Sequence, residues 1–295
     1  MSNNVESFES FGSDQQIAAH QAGLVRVVLE GQSDVGLFSR YWFGSMRETF
    51  EFIEAGHLVV GSGCTAVRAA VAHSLNADGV PAVGIVDRDS LFRERRWDLL
   101  FGVDDVKFAT EVQTLDVYVA SLWEVEAFML EPHLFADWVY GSHRTPPGSP
   151  ADCAAALGRA LSECELLLEV ASFFAAAHAE GLSYGDSHFR GEPLVTVKAA
   201  CAAKLATLSA PSQSVAAQVD ALIAAVRNSR PASEADRLTF YLRYVDTKRL
   251  LVRLFNALNV RDHSQWVLPP MQSMSNRRPA ELETFLRNVE TRYSA

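Results

Sequence analysis

A chain of 295 residues is long enough for one large domain or two ordinary ones, with a substantial buried core. Its content of 48% hydrophobic and 21% charged residues indicates a globular protein and excludes a mainly disordered one. The net charge of −10 argues against a protein that coats nucleic acid non-specifically.

The first residues and the cysteines bear on the cellular compartment. The first fifteen residues are polar and acidic, without the basic start and apolar run of a secretory signal, so we expect no such signal. The four cysteines form no Cys-x-x-Cys pair, which favours reduced thiols over a disulfide or zinc framework. Together these features predict a cytoplasmic protein.

Charge is unevenly distributed along the chain. Residues 1–185 hold 11 Lys and Arg against 26 Asp and Glu, whereas residues 186–295 hold 15 against 10. The basic C-terminal part could contact phosphates or an acidic partner. Ordinary solvated helix faces explain the same distribution equally well, so both interpretations stay open.

The first predicted strand runs directly into a turn and a helix. Residues 24–29 (LVRVVL) form a short apolar run that is typical of a buried strand. Glu30 and Gly31 follow, and the glycine allows a tight turn. Ser33 or Asp34 could then cap the helix that comes next.

Elements of alternating type continue the chain. In order, we predict a helix at 35–55, a strand at 57–61, a helix at 65–75 and strands at 83–86 and 115–120. This order implies right-handed crossovers and a parallel sheet flanked by helices, which is an α/β fold. A proline-rich run at residues 143–150 (HRTPPGSP) marks a soft domain boundary.

The remainder of the sequence has a helical pattern. We predict helices at 151–179, 192–208, 212–228, 232–258 and 279–293, with a loop at 181–190. The predicted organisation is a polar leader (1–20), a catalytic α/β domain (21–150) and a helical domain (151–295) that provides partner, nucleic-acid or dimer contacts. Charged residues interrupt the most apolar stretch, so we expect no membrane span.

Acidic residues that follow predicted strands form the candidate site. Glu30 follows the first strand, Asp87 and Asp89 end the run VGIVDRD, and Glu126 follows the strand at 115–120. Parallel strands end at one edge of a sheet, where such folds build their sites. Carboxylate oxygens suit Mg²⁺ or Mn²⁺, and a cation would relieve their mutual repulsion. We predict all four residues as metal ligands.

Roles within this set differ. Glu30, Asp87 and Asp89 are predicted to be catalytic, and Glu30, alone before a glycine, is the best candidate for proton transfer. Asp34 and Glu124 are predicted to support the ligands without binding the metal. For Asp34 a helix cap is the stronger alternative, and Glu124 could be a solvated neighbour.

An Asp-x-Asp after a strand is not specific by itself. Phosphatases, glycosyltransferases and plain strand-end turns carry the same pattern. The phosphatase interpretation predicts a nucleophilic aspartate near the start of the chain and a downstream Lys-Asp motif, and neither is found in the sequence. A metal-dependent phosphodiester displacement is therefore the preferred chemistry.

Three segments together resemble the TOPRIM domain: VVLEGQSD at 27–34, VGIVDRD at 83–89 and SLWEVEAFML at 121–130. The finer resemblance is to OLD-like TOPRIM nucleases associated with ABC-type ATPases, a family similar to the effectors of PARIS anti-phage defence systems. In that pattern an Asp stands two residues before the position of Glu126, and Asn-Tyr follows it. Here Glu124 and Ala127-Phe128 occupy these positions.

The resemblance implies a toxic effector nuclease that forms a homodimer, is controlled by an ABC-type ATPase subunit and acts on tRNA, with DNA left open as the substrate. Basic residues predicted to contact phosphates are Arg88, Arg93, Arg95, Arg96, Lys248 and Arg249. For the last two, exposed helix charges are the stronger alternative. A different class of function also stays open, namely a regulatory or scaffolding subunit that binds the ATPase without catalysis.

Overall fold

The computed structural model describes residues 23–145, 148–183, 191–260 and 278–293. The predicted leader and residues 184–190 of the predicted loop lie outside this range. The chain folds into two units. The first comprises residues 23–86, 114–118 and 278–293, and the second comprises residues 87–113 with the described residues from 119 to 260.

Four parallel strands form one sheet in the order β2-β1-β3-β4. The strands are β1 (Val25–Leu29), β2 (Phe50–Glu54), β3 (Ala82–Val86) and β4 (Val117–Val119). In the central strand β1, Val27 pairs with Phe52 on one side and with Val83 on the other. Both β1 and β3 are buried along their whole length, as expected for strands covered on both faces. The predicted α/β class with a parallel sheet is confirmed.

Helices account for most of the remaining described residues. They are α1 (Gln32–Gly36), α2 (Gly63–His73), α3 (Ser90–Arg93), α4 (Trp97–Leu100), α5 (Asp105–Val112), α6 (Pro132–Ser142), α7 (Pro150–Ala179), α8 (Leu194–Leu205), α9 (Ala210–Asn228), α10 (Glu234–Tyr241), α11 (Thr247–Ala257) and α12 (Ala280–Tyr293). In the second unit α7 is the central helix, and α6, α8, α9, α10 and α11 all pack against it. The helical C-terminal region is therefore confirmed.

The region between β1 and α2 differs from the prediction. Residues 35–55 do not form one helix, because helical turns end at Met46 and β2 occupies Phe50–Glu54. The predicted strand at 57–61 is also wrong, since a 3₁₀ turn covers Ala55–His57. The segment FEFIE alternates apolar and acidic residues, which is the period-two pattern of a half-buried strand.

The predicted helix at 232–258 is in fact two helices. α10 ends at Tyr241, and α11 begins at Thr247 after Asp246, whose side chain accepts a hydrogen bond from the backbone N–H of Arg249 at 3.0 Å. An aspartate in this capping position starts a new helix and ends the previous one. Ser233 caps α10, because its Oγ accepts a hydrogen bond from the Asp236 N–H at 3.1 Å.

Close packing around β3 sets the position of the strand that leads to the site. A Cβ atom at Gly84 would lie 2.6 Å from Val67 Cγ1, so only glycine lets α2 approach β3 this closely. In the same unit Tyr118 of β4 donates a hydrogen bond to Glu281 of α12 at 2.7 Å and stacks on Phe285. In this unit the sheet therefore packs against α2 at β3 and against α12 at β4.

All four cysteines are free, as predicted. Burial raises the pKa of the Cys201 thiol to about 11, which keeps it protonated and unreactive at neutral pH. In the described part of the chain, no helix combines the length and the apolar character needed to cross a membrane.

Candidate metal centre

Three of the predicted acidic residues follow the carboxyl ends of neighbouring strands. β1 and β3 are neighbours, with Val28 paired to Gly84. Glu30 is the first residue after β1, and Asp87 is the first after β3. Asp87 and Asp89 each present one carboxylate oxygen, and these two oxygens lie within 4.8 Å of one another. We refer to Glu30, Asp87 and Asp89 as the acidic cluster.

The segment that follows β4 fixes the two aspartates. The backbone N–H of Val125 donates to Asp87 Oδ1 at 2.8 Å. The backbone N–H of Asp89 donates to the Trp123 carbonyl oxygen at 3.0 Å. Each aspartate is therefore held by a main-chain contact across the second unit and not only by its own loop.

One oxygen of Asp89 is left without a hydrogen bond. Arg93 Nη2 donates to Asp89 Oδ2 at 2.7 Å. Asp89 Oδ1 is buried and has no hydrogen-bond partner among the described residues. An unpaired buried carboxylate oxygen is costly, and a cation at this position would offset that cost. An all-oxygen donor set of this kind fits a hard divalent cation such as Mg²⁺ or Mn²⁺.

Asp34 stabilises the turn that carries Glu30. Its Oδ2 accepts the backbone N–H of Gly31 at 3.1 Å, and Ser33 Oγ donates to its Oδ1 at 3.3 Å. This is one half of a capping box at the start of α1, in which the side chain of the third helical residue accepts the N–H of the N-cap residue Gly31. Of the two roles considered for Asp34, the structure therefore shows the helix cap.

Glu124 is buried beside a lysine from a distant helix. Its side chain accepts a hydrogen bond from Lys248 Nζ at 2.7 Å through Oε1, while Oε2 is buried without a partner among the described residues. Burial, together with the charge of Glu126, raises the pKa of Glu124 to about 8, and Lys248 acts in the opposite direction. Glu124 is only 3% exposed and is therefore not a solvated neighbour.

Glu126 lies outside the acidic cluster found among the described residues. It is 8% exposed and sits in a 3₁₀ turn, Val125–Leu130. Burial alone would lower the pKa of Lys248, but the charges of Glu124, Glu126 and Asp87 hold that pKa above its ordinary value. Glu126 therefore contributes negative charge near Lys248, while its role as a fourth metal ligand stays a prediction.

Arg88, between the two aspartates, points into the protein. It is 0% exposed, and its Nη2 donates to the carbonyl oxygens of Leu99 at 3.0 Å and Leu100 at 2.8 Å. Its guanidinium also lies 4.3 Å from the centroid of the Phe108 ring. A guanidinium enclosed in this way cannot reach a phosphate, so the predicted phosphate contact of Arg88 is corrected to a structural role.

The other basic residues keep some exposure. Arg95 donates to the His178 carbonyl oxygen at 3.2 Å and Arg96 to the Glu111 carbonyl oxygen at 3.3 Å, and both contacts are exposed. Arg249 Nε bonds Asp246 at 3.0 Å. These positions leave phosphate contacts by Arg93, Arg95, Arg96, Lys248 and Arg249 as predictions.

The second unit contains a cavity of about 240 Å³, and Asp89 is one of the residues that line it. Its walls include Glu124 and Lys248 as well as several aromatic rings. No motif in the sequence indicated this cavity. Its rings come from five separate segments, and no local pattern connects them.

Buried Glu124 makes the stability of the protein depend on pH, and Lys248 limits this dependence. Because the pKa of Glu124 is raised in the folded state, its ionisation costs stability as pH rises from the ordinary carboxyl range through about 8. Lys248→Met removes the attraction that limits this cost. We expect the variant to lose about 1–3 kcal/mol of unfolding free energy above pH 8 and much less near pH 5.

Urea unfolding of the wild type and of Lys248→Met at several pH values would measure this difference. Lys107→Met is the matched control, because Lys107 pairs with the exposed Asp98 at 2.9 Å. The effect of the control should not grow from pH 5 to values above pH 8. A loss in Lys248→Met that is equal at all pH values would contradict the assignment.

Comparison of the chain with protein-family models, with curated proteins and with solved structures gave no match. The chemistry of the site is therefore inferred from its motifs and from the positions of its side chains.

Proposed function

We propose that the protein is a metal-dependent nuclease that cleaves phosphodiester bonds in nucleic acid. The observation that supports this most is the acidic cluster, in which carboxylate oxygens of Asp87 and Asp89 lie within 4.8 Å of one another and Glu30 follows the strand paired with β3. The unpaired, buried Asp89 Oδ1 adds a position that favours a cation. Like-charged carboxylates this close are stable when a cation lies between them or when one of them is protonated.

The residues of the cluster would hold Mg²⁺ or Mn²⁺. A cation of this kind lowers the pKa of bound water and stabilises a leaving oxygen in phosphodiester displacement. Asp87 and Asp89 are pre-oriented for binding by their main-chain contacts to Val125 and Trp123. Glu30 follows β1 at a turn whose Gly31 lacks a side chain, and we assign it to accept the proton of the attacking water.

Positive charge near the cluster would position the phosphate. Arg93 lies next to Asp89 and has 46% of its side chain exposed, so its guanidinium can turn from the carboxylate towards a phosphate. Arg95 and Arg96 extend the basic character of the same segment. Arg88 takes no part in this, because it is buried.

The wider biological role rests on the sequence resemblance alone. The order of LEGQSD, VDRD and SLWEVEAFML supports a TOPRIM-like nuclease of the type associated with ABC-type ATPases. We accordingly propose a cytoplasmic toxic effector of anti-phage defence, forming a homodimer and controlled by an ATPase subunit. We propose tRNA as its first candidate substrate.

Incubation of the purified protein with total tRNA and with plasmid DNA tests the nuclease proposal. We expect cleavage with Mg²⁺ or Mn²⁺ and none with EDTA. The reaction should be repeated with an ATPase subunit encoded beside the protein, because a restrained effector can be silent alone. Cleavage that persists in EDTA would contradict the metal-dependent mechanism. No cleavage of either substrate, with and without the partner, would favour a non-catalytic scaffolding subunit.

A further inference from the structure

The cavity in the second unit has aromatic walls. Its volume is about 240 Å³, and Asp89 of the acidic cluster is part of its lining. Six aromatic rings are also part of the lining: Phe92, Phe101, Trp123, Phe174, His178 and Tyr244. Rings at several orientations, such as Phe92 and His178 with centroids 5.0 Å apart, provide faces and edges for a flat aromatic ligand.

Charge on the cavity wall is balanced. Its three basic side chains each pair with an acidic one: Arg93 with Asp89 at 2.7 Å, Lys248 with Glu124 at 2.7 Å and Arg249 with Asp246 at 3.0 Å. A wall without net charge favours a neutral ligand over a free phosphate or an acidic peptide. Arg249 also covers the face of Phe174, with 3.8 Å between its guanidinium carbon and the ring centroid.

One wall residue has a carboxyl oxygen that makes no hydrogen bond. Glu124 is only 3% exposed, and its Oε2 is buried without a hydrogen-bond partner in the described part of the chain. A buried carboxyl oxygen of this kind calls for a polar partner from a ligand, which is an N–H donor when the carboxyl is ionised and an acceptor when it is protonated. Aromatic faces combined with one polar group at the edge match a nucleobase, which is flat and neutral and carries both donors and acceptors on its pairing edge.

We propose that this cavity binds one unpaired nucleobase of the nucleic-acid substrate, next to the phosphate held at the acidic cluster. The position of the base next to a bound phosphate rests on the proposed nuclease function. Asp89 belongs both to the acidic cluster and to the lining of the cavity. The volume lies below the roughly 300 Å³ at which pockets for drug-sized ligands begin, so it accommodates one base and no base pair. The substrate class is therefore single-stranded or looped nucleic acid.

Fluorescence anisotropy in EDTA tests binding without cleavage. The probes are a short labelled single strand, an abasic strand with the same backbone, a duplex of the same sequence and free nucleoside monophosphates. We expect the single strand to bind about ten- to a hundredfold more tightly than the abasic strand and the duplex. Free monophosphates should bind more weakly than the single strand, because they lack the flanking backbone.

Phe174 provides the decisive variant because it is only half-buried and borders the cavity. Phe174→Ala should abolish the preference for the base-bearing strand while leaving affinity for the abasic strand unchanged. Phe174→Trp should retain the preference, which excludes a general folding defect. Phe285→Ala is the matched control, because Phe285 is half-buried in the first unit against Tyr118.

Three results would overturn the proposal: equal affinity of the wild type for normal and abasic strands, an unchanged preference in Phe174→Ala, or monophosphates that bind as tightly as the strand. Binding in EDTA does not depend on the acidic cluster acting as a catalyst. A Phe174-dependent preference in a protein that cleaves nothing would refute the nuclease and retain the base site. Metal-dependent cleavage without that preference would support the nuclease and refute the base site.

Discussion

Replacing Glu30 by Gln should lower the rate of metal-dependent cleavage by about a hundred- to ten-thousandfold. The amide keeps the shape of the side chain but cannot accept the proton of a water, and it binds a divalent cation poorly. Because Glu30 is partly exposed at the end of β1, the substitution should leave the fold intact. Initial rates on the cleaved substrate, at saturating Mg²⁺, provide the measurement.

Glu54→Gln is the matched control for Glu30. Glu54 ends the neighbouring strand β2, and it lies outside the acidic cluster. Its replacement should leave the cleavage rate within about threefold of wild type, since surface carboxylates away from a site contribute little. Equal rates in wild type and Glu30→Gln would show that Glu30 takes no part in the chemistry.

Arg88→Met should cost about 3–5 kcal/mol of unfolding free energy. Methionine fills much of the space but provides no donor for the carbonyl oxygens of Leu99 and Leu100, which are then left buried and unpaired. The same contacts anchor the loop that carries Asp87 and Asp89, so affinity for a divalent cation should fall as well. Denaturant unfolding monitored by tryptophan fluorescence gives the stability difference.

Arg96→Met separates this effect from the loss of a positive charge. Arg96 is partly exposed and donates to the Glu111 carbonyl oxygen at 3.3 Å, so its replacement should change stability by no more than about 0.5 kcal/mol. If Arg88→Met were as mild as Arg96→Met, the buried hydrogen bonds of Arg88 would not hold the loop as described.

The sequence was sufficient to predict the strands that build the site. β3 is a continuous apolar run, β1 is interrupted only by Arg26, and acidic residues follow both strands, so the pattern is local and distinct. β2 was missed because its alternation of phenylalanine and acidic residues was included in the preceding helical pattern. The edge position of β2 explains this pattern, since β2 pairs only with β1 in the observed strand order.

The parts of the site that depend on distant contacts could not be predicted. The orientation of Arg88 depends on carbonyl groups of α4, which its own neighbours in sequence do not reveal. Glu124 and Lys248 are 124 positions apart, and only the break before α11 brings the lysine to the carboxylate. The aromatic walls of the cavity likewise come from α3, from the residue after α4, from the segment after β4, from α7 and from the turn before α11.

Equilibrium binding of Mn²⁺, followed by the loss of the free-ion electron paramagnetic resonance signal, tests most directly whether the acidic cluster holds a divalent cation. We predict saturable binding to the wild type and to Glu54→Gln. Binding should be at least about tenfold weaker in Asp87→Asn and Asp89→Asn. The absence of saturable binding to the wild type, or equal binding to all four proteins, would contradict the assignment of Glu30, Asp87 and Asp89 as a metal site.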